Sequence, residues 1–239
     1  MAVRPVFLSD LEKNHYVSEV SINFEWFPGY SIKQKQQSIN SLHTNFKEKF
    51  PNKKILEISS KSESELGKAL SAFNLMIKTK NNKNFSVETA FQASKVFENG
   101  GPFMDLYEKS SKEAKKDNRL KNSGNLVCFN YYNRIFELEP KTFFYDWLYV
   151  NALHFNDELA KEVMEYDSFT DIEFNPQKSI NCQARSVALF VALKKQGLLE
   201  EAIKSMENYK SIIFKNNIKL NNENTSKQLG FDDFLNINV

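Results

Sequence analysis

A chain of 239 residues, 41% hydrophobic and 26% charged, can bury a sizeable core and is too apolar to stay disordered. A net charge of +2 excludes a tight, sequence-blind DNA binder but leaves room for a local basic docking patch. Cys128 and Cys182 with three histidines form no metal or disulfide pattern, and seven glycines form no phosphate loop, so no metal, nucleotide or redox cofactor is expected.

In chain order, Met1 to Val6 turns polar too soon for a signal peptide. No apolar run nears the roughly 20 residues of a membrane span, so a cytoplasmic protein with no membrane partner is expected. Val17 to Trp26 alternates apolar and polar from Val20, which predicts a half-buried strand ending at the turn Pro28-Gly29. Ser31 to Phe50 carries Ile32, Ile39, Leu42 and Phe46, the pattern of an amphipathic helix. Its Lys33, Lys35, Lys47 and Lys49 suit a solvated face or contacts to phosphate. Lys54 to Ile58 is a second strand, and Ser62-Glu63-Ser64-Glu65 fits a capping box opening a short helix. Asn81 to Asn84 is a polar turn.

Helices are predicted over Phe85 to Glu98, Ser111 to Leu120, Tyr145 to Leu153, Glu158 to Tyr166, Ile180 to Lys195 and Leu198 to Phe214. Gly100-Gly101-Pro102 breaks the first, and Gly197 follows the fifth. The Asn-rich tail from Lys215 is expected to pack loosely. The fold class is α+β, mainly helical, with a small sheet from an N-terminal extension at residues 1–65 and one compact domain over 66–239.

With Ser86 as N-cap, Val87, Ala90, Phe91 and Ser94 share one stripe of the Phe85 to Glu98 helix. Glu88, Gln92 and Lys95 stand at i, i+4 and i+7, within about 60° of one another on the shoulder of that stripe. A carboxylate, an amide and an amine therefore project together beside buried surface. The spacing is equally that of a first-turn acid favouring the helix dipole and a solvated lysine.

Leu70-Ser71-Ala72-Phe73-Asn74, then Ser86-Val87-Glu88-x-x-Phe91-Gln92-x-x-Lys95, resembles the NADAR (YbiA-like) family. Ser111-Lys112-Glu113-Ala114-Lys115, Phe169 to Phe174 around Asp171, and Asn181 before an apolar helix match further family motifs in order. No Trp-Gly pair follows Asp171, where Ile172 to Pro176 stands instead. The segments Glu57 to Ser62, Ser94 to Pro102, Phe144 to Tyr149 and Phe169 to Cys182 resemble the branch found beside DNA-targeting ADP-ribosyltransferase toxins.

The resemblance implies an antitoxin that hydrolyses the bond between ADP-ribose and guanine in DNA, single-stranded or with the base flipped. Its partners are then modified DNA, ADP-ribose and the toxin. Breaking a glycosidic bond calls for a carboxylate and a proton donor. The resemblance assigns these to Glu88 and Lys95, with Lys95 as acid or, desolvated, as a Schiff-base nucleophile. Asp171 and Glu173 are second carboxylates, or turn residues. Gln92 suits a hydroxyl or the guanine edge, and Asn74 and Asn181 suit ribose hydroxyls. Phe91, Phe103 and Trp147 suit ring stacking or core packing. Arg119, Lys115 and Lys116 suit phosphates or a solvated helix face, Gly101 a close backbone approach, and His154 a structural place. Two alternatives are an N-glycosidase on riboflavin-pathway intermediates and a non-catalytic antitoxin that binds its toxin.

Overall fold

A computed structural model describes residues 1–12 and 16–214; the tail from Lys215 lies outside them. The fold is α+β, and it divides into two compact units.

Unit 1 combines Met1–Asn74 with Leu153–Gln196. Strands β1 (Ala2–Ser9), β2 (Val17–Phe24) and β3 (Ile55–Glu57) meet β9 (Ser168–Thr170) in one sheet of order β2-β1-β9-β3. The long antiparallel pair β1–β2 runs in full register from Ala2↔Phe24 to Ser9↔Val17. β3 and β9 pair in parallel. Val6 and Ile22 pack against Ile39, Leu42 and Phe46 of helix α1 (Ile32–Lys49), which Ser31 and Gln34 close with a capping box. Val6 and Phe7 are both buried, and strand neighbours point to opposite faces, so the sheet is covered on both sides. Helix α8 (Gln183–Lys195) packs on β1, β2 and β9, and ten of its residues are buried. It opens at Gln183, three residues later than its apolar pattern begins. Helix α2 (Glu65–Ala69) is capped by Ser64 rather than Ser62, because Ser62 Oγ is turned to Ser64 N.

Unit 2 combines Leu75–Ala152 with the described residues from Gly197 on. A hairpin of β4 (Met76–Lys78) and β5 (Asn84–Ser86) leads into helix α3 (Val87–Ala93), capped by Ser86 Oγ on Thr89 N. The predicted helix over Phe85 to Glu98 is thus shorter. Lys95 opens strand β6 (Lys95–Phe97), which joins β7 (Leu126–Tyr131) and β8 (Arg134–Phe136) in an antiparallel sheet. Two tertiary hydrogen bonds end the helix there: Asn130 N donates to Ser94 O, and Phe103 N donates to Ala93 O. β-branched Val96 and aromatic Phe97 then suit the ladder with β7. Tyr132 and Asn133, both at positive φ, form a two-residue hairpin loop without glycine.

The charged segment after Ser110 makes two short helices, α4 (Ser111–Lys115) and α5 (Arg119–Asn122), interrupted by the Asp117 turn that holds Arg119. Helix α6 (Phe143–His154) lines an aromatic core with Phe129, Tyr131 and Phe136. Helix α7 (Asp157–Glu162) belongs to unit 1. The last predicted helix is split into α9 (Leu199–Ile203) and α10 (Met206–Ile213), because Ser205 leaves the helix and caps Asn208 N.

Phe46 is fully buried and stacks on Phe50 at 4.9 Å. Phe46→Ala is expected to cost about 3–5 kcal/mol, and Ile32→Ala, at a 56% exposed position, under about 0.5 kcal/mol. Denaturant unfolding followed by circular dichroism measures both.

Candidate active site

In unit 2, Glu88, Gln92 and Lys95 come together, though not on one helix face. Every residue of α3 is buried, so Glu88 and Gln92 are inside rather than on a shoulder. Gln92 Nε2 donates to Glu88 Oε1 at 2.9 Å, and Lys115 Nζ stands 3.4 Å from the same oxygen. Gln92 Oε1 is buried with no hydrogen-bond partner among the described residues. An amide oxygen left so costs free energy until a donor meets it, and a ligand hydroxyl or base N–H is such a donor.

Lys95 reaches this group from β6. Its Nζ lies 4.9 Å from the centroid of the Phe91 ring. Its backbone is pinned by the pairing Lys95↔Phe129 and by the close passage of Gly101. A Cβ on Gly101 would fall 2.3 Å from the Lys95 carbonyl oxygen, and its φ of +92° is one that glycine tolerates. Burial pushes the Lys95 amine down to about 8; Lys115 lowers it further, and Glu88 opposes. An amine so placed is partly free base near neutral pH.

The aromatic candidates of unit 2 are packed among other rings. Phe91 meets Phe129, Phe144 and Tyr145 at 5.1 to 6.1 Å. Trp147 is 5% exposed and packs on Phe136 and Tyr131. Phe103 is half-buried, with Arg119 Cζ 4.6 Å from its centroid. Arg119 itself grips Asp105 with both Nη atoms, at 3.0 and 2.7 Å, and Asp117 through Nε. Its fork is therefore occupied by carboxylates.

In unit 1, Asp171 follows β9 in a turn held by Glu57. Glu57 Oε2 accepts from Thr170 Oγ1 at 2.6 Å, and Oε1 accepts from Ile172 N at 2.8 Å. His43 Nε2 lies 2.8 Å from Thr170 Oγ1. The threonine proton is given to Glu57, so the imidazole donates here and carries its proton on Nε2. Burial pushes His43 down to about 4, which keeps it neutral. Glu57 and Asp171 are both pushed up, chiefly by burial; the charge of Glu173 adds to this at Glu57, and the charge of Glu57 adds to it at Asp171, which reaches about 8. Gln183 hydrogen-bonds Asp171 and accepts from Ala72 N at 2.7 Å, which ties the Asp171 turn to the segment before Asn74.

Asn74 is exposed, and its Nδ2 donates to Lys68 O. Glu173 pairs with Lys35 at 3.2 Å. Asn181 is half-buried just before α8 and accepts from Ser179 Oγ through its carbonyl. Glu57, His43 and Gln183 were not singled out by sequence. For Glu57 a signal existed: it is the lone charge in the apolar run Ile55 to Ile58. Among the described residues no cluster of His, Cys, Asp and Glu could hold a metal ion, and no helix is long and apolar enough to cross a membrane.

A family model described as DarT1-associated NADAR antitoxin matches residues 2–223. The chain belongs to that family. The match takes in both units and every candidate residue above. Comparison with curated proteins finds no match.

The carboxyl pair of this NADAR antitoxin makes a pH prediction. Asp171 has a folded value near 8, above its ordinary 3.8. Its stabilising contribution is complete below 3.8 and is lost as pH rises through about 8. His43 has the opposite sign, losing stability as pH falls from 6.5 toward about 4. Between pH 6.5 and 8 the carboxyls dominate these two, so stability should fall by about 1–2 kcal/mol. Asp171→Asn should flatten that slope in thermal melts taken across the window; an unchanged slope would refute the pairing.

Proposed function

We propose that the protein is a glycohydrolase that removes ADP-ribose from guanine in DNA and so reverses the work of an ADP-ribosyltransferase toxin. The carrying observation is the desolvated Lys95 amine grouped with buried Glu88 and the unsatisfied Gln92 oxygen, in a chain of an antitoxin family associated with DarT1. A structural salt bridge needs neither a lowered amine nor an unfilled acceptor.

Breaking the bond leaves positive charge on the anomeric carbon and negative charge on the guanine nitrogen. Glu88 offsets the first. Gln92 Oε1 accepts from a hydroxyl or the base. Lys95 serves in one of two ways. As an ammonium it gives its proton to the leaving nitrogen. As a free amine it bonds to the opened sugar carbon, guanine leaves with a proton, and water returns the amine and releases ADP-ribose. In unit 1 the family resemblance adds Asp171 as a candidate acid, and Asn74, Glu173 and Asn181 as candidate binding residues. We take residues 1–65 as an extension for a macromolecular substrate, which a small riboflavin-pathway intermediate would not need.

The purified protein is expected to release ADP-ribose from guanine-modified single-stranded DNA, followed by chromatography. Glu88→Gln and Lys95→Ala should each lower release by roughly a hundredfold or more. Full activity in both variants would remove these residues from the site. Toxin neutralisation that survives the double substitution would mark a binding antitoxin instead. The pH profile decides the role of Lys95: release rising to a plateau above about 8 marks the amine, and release falling above it marks the ammonium. Borohydride trapping of a Lys95 adduct accompanies the first outcome only.

A further inference from the structure

Arg4 is the one strongly basic side chain of β1, and the antiparallel register Phe7↔Phe169 carries it toward the turn that leaves β9. Asp171 is the carboxyl whose field it feels. Its hydrogen bonding is sparse: Nη1 donates to its neighbour's Val3 O at 3.0 Å, and Nε is buried without a partner. Among the described residues Arg4 forms no ion pair. A guanidinium offers five N–H groups in a planar fork, so most of this donor capacity is unused.

Two further groups hold the surroundings. Arg4 Cζ lies 5.6 Å from the centroid of Trp26, and Lys35 Nζ lies 4.7 Å from the same ring. Lys35 is already neutralised by Glu173 at 3.2 Å. Arg4 has no such counter-charge in contact, and its neighbour Asp171 belongs to the crowded carboxyl pair that holds on to a proton. An arginine oriented by an aromatic face, underbonded and lacking an anion, is built to meet one.

We propose that Arg4, oriented over Trp26, binds a phosphate group of the substrate beside Asp171. A phosphate presents two or more oxygens to the fork, which a hydroxyl or an amide does not. The proposal rests on the glycohydrolase reading only for what carries the phosphate. ADP-ribose brings a diphosphate, and DNA brings a phosphodiester.

The test titrates the intact protein with ADP-ribose and, separately, with an unmodified single-stranded oligonucleotide, by calorimetry at two salt concentrations. Arg4→Gln should weaken at least one ligand by roughly tenfold. Weakening of ADP-ribose alone assigns the diphosphate. Weakening of the oligonucleotide, with a salt slope smaller by about 1, assigns the DNA backbone. Arg4→Lys keeps the charge without the fork and should weaken the same ligand by a smaller factor; it carries the test if Arg4→Gln does not fold. Unchanged affinities in the folded variants, or no binding of either ligand by the unaltered protein, overturn the proposal. Release of ADP-ribose from modified DNA is scored separately. Arg4-dependent binding without any release would sink the glycohydrolase and leave the phosphate site standing.

Discussion

Glu57 sits on β3 out of water, and its two oxygens are taken by Thr170 and by the backbone of Ile172. That arrangement sets much of unit 1. It joins the parallel pair β3–β9 at the point where β9 gives way to the Asp171 turn. It also fixes the state of the groups around it. Thr170, having donated to Glu57, must accept from His43, and this sets the imidazole tautomer. Burial, and after it the charge of Glu57 close by, holds Asp171 toward its protonated form. Gln183 then carries the turn's position to the start of α8 and to Ala72.

Unit 2 solves a different problem, the presentation of an amine beside buried carboxylate and amide groups. Helix α3 supplies Glu88 and Gln92, but the lysine arrives on a strand. The strand is held from two directions, by β7 and by the passage of Gly101 against the Lys95 carbonyl. With the backbone so confined, the long side chain lies back over Phe91 and loses water. The aromatic ring thereby has two duties, closing the core through Phe129 and Phe144 and desolvating the amine.

An amine of unit 2 lowered and a carboxyl of unit 1 raised, each to about 8, titrate near the pH of ordinary solution. Groups with ordinary values, one near 4 and one above 10, would each be locked in one charge state there. The shifts come from burial in both cases, and burial acts on the charged form whatever its sign. Burial within each unit thus raises the value of an acid in one and lowers that of a base in the other.

Much of this was present in residue order. The alternation of Val17 to Trp26, the apolar spacing of Ser31 to Phe50 and the punctuation at Gly197 mark elements that form where they were predicted. Glu88, Gln92 and Lys95 were visible as a set because their motif recurs in the NADAR pattern, and residues 2–223 match that family. Their geometry was not. Spacing of i, i+4 and i+7 is helical only while the helix lasts, and contacts from Asn130 and Phe103 stop this one at Ala93. Short strands such as β6 and β9 carry too few residues to show a period, and they exist because a distant strand supplies their hydrogen bonds. The sequence by itself determined the class of fold, the family and which polar residues deserve notice. Only the tertiary structure decided which were desolvated, which were already paired and which were left wanting a partner, because burial and pairing depend on groups brought from far along the chain.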